Sequence, residues 1–178
     1  GIEIPHYCWH PGLSVAANCR MCLVDIKSAR PVMLPIVKWD EQKQQYVDTT
    51  KTKLQPACQQ LCAEGMEVES ESAIVKEAQR STQEFLLLNH PVDCSICDQA
   101  GECKLQDYYM RYDFKASRLE GTKILRNKRK VLNEHVVIDQ ERCVVCTRCV
   151  RFMEEVAKAP QLGVFGRGSH EVVDVAPH

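Results

Sequence analysis

The chain has 178 residues, and its 23 Lys plus Arg nearly cancel its 24 Asp plus Glu, leaving a formal charge of −1. That balance excludes a general nucleic-acid binder, which carries a basic excess, while 44% hydrophobic and 26% charged residues describe a folded chain, not a disordered one. Phe85 to Leu88 is typical of its short apolar runs, which exclude a membrane-spanning helix and any direct membrane insertion. Eleven cysteines are the unusual feature.

An odd count leaves a disulfide framework with at least one unpaired thiol. No Asn-x-Ser/Thr acceptor occurs at Asn18, Asn89, Asn127 or Asn133, and no signal peptide opens the chain. The cysteines instead fall into tight groups, Cys19–Cys22, Cys94–Cys97 and Cys143–Cys146–Cys149. Thiols two or three residues apart suit metal coordination better than long-range stapling, and a reducing compartment would keep them available to a metal. Gly1-Ile-Glu-Ile-Pro5 reads as the tail of an element already under way, and His178 follows an apparent strand, so a piece of a longer protein is expected.

In chain order, residues 1–72 hold most of the strand-like sequence. Cys22 to Ile26 and the alternating Met66-Glu-Val-Glu-Ser70 read as strands, the second half-buried. The polar stretch from Trp39 to Lys53 between them reads as an exposed hairpin or loop. Residues 73–113 are expected to be helical. Ser72 is placed to cap a helix over 73–89, with Ile74, Ala78, Phe85 and Leu88 as its apolar face and Pro91 as its end. A second helix is expected over 102–112. Residues 114–135 form a connector rich in cations, including Lys128-Arg-Lys130. It lacks the stacking aromatics of a nucleic-acid site and reads as a solvated loop facing an acidic partner surface. The last module, 136–178, opens on the strand Val136-Val-Ile138; its Gly163-Val-Phe-Gly-Arg-Gly168 has the wrong glycine order for a dinucleotide fingerprint and reads as turns.

The first cysteine group is Cys8, Cys19, Cys22 and Cys58. Plant-type two-iron clusters take three thiolates from one loop and a fourth from a remote strand, although the first gap here is longer than theirs. Small residues between the ligands fit a loop wrapped around sulfide, whose charge calls for backbone N–H donors. Cys8-Trp-His10 raises a Rieske alternative, but no second histidine lies near Cys19–Cys22, so His10 is read as a loop residue. The second group is His90, Cys94, Cys97 and Cys103, with Gly101 allowing the turn into Cys103. Spacing alone leaves two options equally open, a four-iron cluster and a structural zinc on three cysteines and one histidine. The third, Cys143-x2-Cys146-x2-Cys149, is the pattern of a four-iron cluster, because one compact loop offers three corners of the cube. Its fourth ligand is absent from this chain, and Cys62, left over, is read as a spare thiol.

The stretches Pro5 to Pro11, Asn18 to Val24, Asn89 to Asp107, Arg142 to Phe152 and Leu162 to Gly168 resemble the N-terminal portion of the large iron–sulfur subunit family of NADH:quinone oxidoreductase, the G subunits of complex I. The resemblance covers nearly the whole chain. It implies an α+β fold: an incomplete β-grasp 2Fe-2S ferredoxin domain (1–72), a helical 4Fe-4S domain with one histidine and three cysteine ligands (73–113), the basic connector (114–135), and the start of a second 4Fe-4S domain of the molybdopterin-oxidoreductase type (136–178). It implies one two-iron cluster on Cys8, Cys19, Cys22 and Cys58. It also implies two four-iron clusters, one on His90, Cys94, Cys97 and Cys103 and one with three ligands here, Cys143, Cys146 and Cys149. The implied function is electron relay, without a substrate site on this chain, from a flavin/NADH-binding subunit toward quinone-side iron–sulfur subunits. The implied place is the peripheral arm, on the cytoplasmic face of a bacterial inner membrane or the mitochondrial matrix side. A diaphorase subunit of an NAD-linked hydrogenase or formate dehydrogenase, an iron-only hydrogenase and a zinc-stabilised structural module are the rival readings.

Overall fold

The computed structural model describes residues 1–27, 33–112 and 116–176; the junction at 113–115, where the connector was expected to begin, lies outside them. Helices and small antiparallel sheets mix. Strand β1 (Leu23–Lys27) is the centre of a three-stranded sheet, flanked by β4 (Gln55–Pro56) and β5 (Glu67–Glu69). Strands β2 (Met33–Asp40) and β3 (Gln45–Thr52) form a separate hairpin, the exposed element expected around 39–53 but starting earlier. The Asp40 carboxylate closes its turn by accepting the Gln42 and Lys43 amides, each at 3.0 Å. On β1 the alternation works as a half-buried strand requires, with Val24 and Ile26 inward. On β5 it does not: Val68, paired with Ile26, is exposed because β5 is a sheet edge.

Helix α1 (Ala73–Leu87) lies against β1, and α2 (Lys104–Arg111) packs on α1. The apolar face expected on α1 is not the buried one. Ile74 and Phe85 are exposed, whereas Val75, Gln79 and Gln83, four residues apart in turn, face inward. Glutamines hold a core position here because every burial of an amide is matched by a partner. Gln79 Nε2 donates to the Leu23 carbonyl at 3.0 Å while its Oε1 accepts from Tyr112 Oη at 2.7 Å. Gln83 Nε2 donates to the Leu105 carbonyl at 3.0 Å, and its Oε1 accepts from Tyr7 Oη. Ser72 sits at the start of α1 in extended backbone, but its hydroxyl makes no capping bond. The Lys76 amide goes to the Ser72 carbonyl instead.

The connector is largely exposed, and several of its cations also reach acceptors of this chain: Arg118 to Glu84, Lys123 to the carbonyls of Leu87 and His90, Lys128 to Glu141 at 2.7 Å and Lys130 to Asp174 at 3.2 Å. Its Lys130–Val131 forms β6 of a short ribbon with β7 (Val137–Ile138), and beyond come α3 (Arg148–Glu155) and the hairpin β8 (Leu162–Phe165) with β9 (Val172–Val175). The stretch read as glycine turns is thus half strand. Its turn needs glycine at Gly166, which has φ +76°, and a Cβ there would stand 2.5 Å from the His170 carbonyl oxygen. No helix among the described residues is long and apolar enough to cross a membrane.

One apolar cluster, Tyr7, Met21, Leu105 and Tyr108, joins these parts, and Cys19, Cys103, Val144 and Cys146 pack against it. It draws a residue from each of the three cysteine groups onto a common wall. Met21 is fully buried at its centre. Met21→Ala is expected to cost about 2–5 kcal/mol in denaturant unfolding, the range for deleting a buried large side chain. Met110→Ala, at an exposed position, should leave the midpoint nearly unchanged; equal effects would contradict the placement of the core.

Candidate metal centres

The register of β1 on β4 assembles the first group. Leu23 pairs with Pro56, and the Ala57 amide donates to the Cys22 carbonyl at 2.9 Å. Cys22 just before β1 and Cys58 just after β4 are thereby brought side by side from distant parts of the sequence. Cys8 and Cys22 are buried, and Cys19 and Cys58 half-buried. The Cys58 thiol is pushed up to about 12 by burial, by its hydrogen bond with Cys22, and by the negative charge that Cys22, Cys8 and Cys19 would carry as thiolates. All four sulfurs therefore share one small region. Burial also raises Cys19. At Cys8 burial acts the same way but is outweighed by hydrogen bonds from Cys19 and the Asn18 amide and by the Arg151 charge, so its thiol lies below the usual value. His10 is exposed and accepts the Gly12 amide at 3.1 Å, closing its own loop.

His90, Cys94, Cys97 and Cys103 line one cavity, walled on its apolar side by Leu87, Leu105 and Tyr109. Cys94 lies in a 3₁₀ turn (Cys94–Ile96) and Cys103 stands at the start of α2, reached through Gly101 at φ +87°. Burial holds the His90 imidazole below its ordinary pKa, which keeps it neutral near pH 7, the form that binds metals. Its segment is fixed on both sides. The Ile124 amide donates to Asn89 Oδ1 at 3.0 Å, and Lys123 to the His90 carbonyl.

In the third group, Cys143 and Cys146 are half-buried and Cys149 sits exposed on the first turn of α3. Donors point at the sulfurs: the Val145 amide to Cys143 Sγ at 3.4 Å, and Arg148 Nε to Cys146 Sγ at 3.5 Å. Burial raises Cys143 and Cys149, and both feel the Cys146 thiolate. Arg126 reaches the same region. Its Nη2 donates to the Ser169 carbonyl at 2.9 Å, its Nε is buried without a protein partner, and it lines a cavity with Cys143 and His90. A buried guanidinium Nε with no acceptor suits a site built for negative sulfur atoms.

A signal that sequence reading missed is backbone strain. Among the described residues, seven non-glycines have left-handed φ, and five of them, Ala17, Arg20, Val92, Val145 and Thr147, lie within two positions of a cysteine. Such residues cost about 1–3 kcal/mol each and gather where geometry is imposed for function. Alternating hands of backbone turn successive N–H groups inward, the arrangement that binds anions. Nothing in the residue types announces it, since none of the five is Gly, Asn or Asp.

Pairs of side chains hold the groups against one another. Asp93, just before Cys94, receives both arms of Arg142, just before Cys143, at 3.1 and 2.8 Å; this contact drives the Asp93 carboxyl well below the usual range. Asn18 Nδ2, beside Cys19, reaches the Val145 carbonyl at 3.3 Å. No three His, Cys, Asp or Glu side chains among the described residues close on a point that could hold one metal ion. His90, Cys94, Cys97 and Cys103 stand around a shared cavity. Cys62 is exposed.

Two family models match this sequence: the NADH-ubiquinone oxidoreductase-G iron–sulfur binding region over residues 79–118, and the ferredoxin-like domain of NADH-quinone oxidoreductase subunit 3 over 133–177. With the grouped thiols they define an iron–sulfur-binding chain. Its relatives are more particular. It is 39% identical to the mitochondrial NADH dehydrogenase [ubiquinone] iron-sulfur protein 1 of Solanum tuberosum, over 97% of this chain and 20% of that protein. It is 39% identical to the mitochondrial NADH-ubiquinone oxidoreductase 78 kDa subunit of Candida albicans, over 95% and 21%, and 41% to the NADH-ubiquinone oxidoreductase 75 kDa subunit of Reclinomonas americana, over 94% and 21%. The chain is therefore related to the large iron–sulfur subunits of NADH:quinone oxidoreductase, and spans about a fifth of the length of these relatives. In fold it matches a chain of an NAD+-reducing [NiFe]-hydrogenase with a TM-score of 0.74 at 24% identity, covering 96% of this chain and 62% of that one.

Strain can be tested directly at Arg20, which is exposed with φ +58°. Arg20→Gly is expected to stabilise the chain by about 1 kcal/mol in denaturant unfolding, relief of the left-handed cost less glycine's entropy. Arg20→Ala should change little. Equal midpoints for the two variants would contradict a strained backbone at Cys19.

Proposed function

We propose that this chain is the cluster-bearing electron relay of an NADH:quinone oxidoreductase, carrying electrons from an NADH/flavin module toward quinone. The observation that supports the proposal is that one cysteine of each group packs on a single apolar cluster, with His90, Cys94, Cys97 and Cys103 lining one cavity, in a chain related to subunits that bear iron–sulfur names. Cys8, Cys19, Cys22 and Cys58 would hold a two-iron cluster. His90, Cys94, Cys97 and Cys103 would hold a four-iron cluster, and Cys143, Cys146 and Cys149 would supply three corners of another. Residues 1–72, 73–113 and 136–178 are the corresponding modules, with 114–135 between them. The first module would be β-grasp in kind.

Bound clusters supply one-electron chemistry at potentials set by ligand type, burial and hydrogen bonds to sulfur. The protein's share is to hold and to insulate. Tyr7, Met21, Leu105 and Tyr108 exclude water between the groups, the amide of Val145 and the guanidinium of Arg148 face sulfur, and His90 offers a neutral ligand in place of a thiolate. The natural partners are a flavin/NADH-binding subunit on one side and quinone-side iron–sulfur subunits on the other. The natural location is the peripheral arm, on the cytoplasmic face of a bacterial inner membrane or the mitochondrial matrix side. The hydrogenase likeness is one of fold, so a diaphorase-type role has less support than this one.

Anaerobic reconstitution of the chain with iron and sulfide should give a brown protein whose visible absorption bleaches on reduction, holding about six irons securely by these cluster types. A colourless protein that takes zinc instead would overturn the proposal. Within the reconstituted chain, His90→Cys should keep a four-iron cluster and lower its potential. The reason is charge: a thiolate is negative where imidazole is neutral, and the two-histidine Rieske centres lie several hundred mV above plant-type ones, roughly −150 to +300 against about −400 mV. An EPR titration without a shift would remove His90 from the ligand set.

A further inference from the structure

Arg151 is one of the few charged side chains this protein buries, at 8% exposure. It follows Cys149 on α3, yet its guanidinium reaches beyond its own helix. Nη2 donates to the carbonyl of Cys8 and, at 3.5 Å, to that of Cys146; Nη1 donates to the carbonyl of Ser14; and Nε donates to Thr147 Oγ1 at 3.3 Å. Cys8 belongs to the first cysteine group and Cys146 to the third, so one side chain holds the backbone of a ligand residue from each. The contact to Cys8 joins positions 143 residues apart.

A buried charge is normally matched by an opposite one. Arg151 is held by carbonyl and hydroxyl dipoles instead. The carboxylate within its field, Glu155, is turned to Ser14, accepting from both its amide and its hydroxyl. The positive charge is therefore fixed in place without a direct ion pair among the described residues. Its Nη2 stands on the Cys8 carbonyl, whereas Arg151 is not among the residues lining the cavity of His90, Cys94, Cys97 and Cys103.

We propose that Arg151 is a positioning residue shared by the first and third cysteine groups: its fork sets their spacing, and its charge, held by dipoles without a direct ion pair, favours the reduced state of the centre each group holds. The proposal rests on the ligand assignment above. A centre that gains an electron gains negative charge, so a nearby fixed cation raises its potential. Removing that cation must lower both potentials together and leave the His90-containing group as it was.

The test is a potentiometric EPR titration of the full-length protein assembled in its complex, comparing wild type, Arg151→Gln and Arg151→Lys. Arg151→Gln is expected to move the two-iron centre and the Cys143–Cys149 centre to more negative potential by on the order of tenfold in each reduction equilibrium, 59 mV for a one-electron couple. The His90 centre should stay in place. Arg151→Lys keeps the charge but not the fork, and its two potentials should remain near wild type. A purely structural staple would shift both variants alike, and that result overturns the proposal, as does no shift or a shift of one centre alone. Where Arg151→Gln assembles no clusters, Arg151→Lys decides: potentials near wild type support the shared charge, and displaced ones refute it. A wild-type protein that lacks either EPR signal would instead defeat the ligand assignment, separating that failure from failure of the role given to Arg151.

Discussion

Tyr7, Met21, Leu105 and Tyr108 come from three distant stretches of chain, and their mutual burial is the constraint on which the remaining geometry depends. Tyr7 immediately precedes Cys8, Met21 precedes Cys22, and Leu105 lies two residues past Cys103, so burying these apolar side chains brings the neighbouring thiols to the edge of one core. Tyr7 and Tyr108 meet edge to face at 5.4 Å, an arrangement that adds orientation to simple burial. Their hydroxyls are not left over: Tyr7 donates to Gln83, and Tyr108 accepts the His6 amide at 3.2 Å. A chain of 178 residues with few buried large side chains has little core to spare. Here it is spent where the cysteine groups meet.

Around that core, amide and guanidinium donors gather at the cysteine groups. Left-handed residues turn amides toward sulfur, and Arg126, Arg148 and Arg151 stand close to ligand cysteines. Side chains adjacent to ligands also tie the loops to one another, Arg142 to Asp93 and Asn18 to the Val145 carbonyl. Under the function proposed above, these ties would also fix the spacing between the centres that the cysteine groups hold.

Thiols at fixed short spacing made the cysteine groups legible in the sequence, and alternation made strands such as β1 legible. Long unbroken motifs also pointed to the family. Three things were not legible. The buried face of α1 contains Gln79 and Gln83, which any hydropathy pattern assigns to the surface; their partners, Leu23, Leu105, Tyr7 and Tyr112, come from other elements and exist only in the fold. The ion pairs of the connector's exposed cations could not be read because their acceptors, Glu84, Glu141 and Asp174, lie elsewhere in the chain. Left-handed backbone at Val145 and Thr147 defies the residue preferences from which turns are read.

Three cysteine groups that share one core should form one cooperative unit. Native-state hydrogen exchange across a denaturant series tests that most directly. Amides around residues 7–8, 19–24, 103–108 and 143–151 are expected to lose protection in a single opening with a common free energy and denaturant dependence. Separate openings for these segments, with the third group exchanging while the first stays protected, would contradict a shared core.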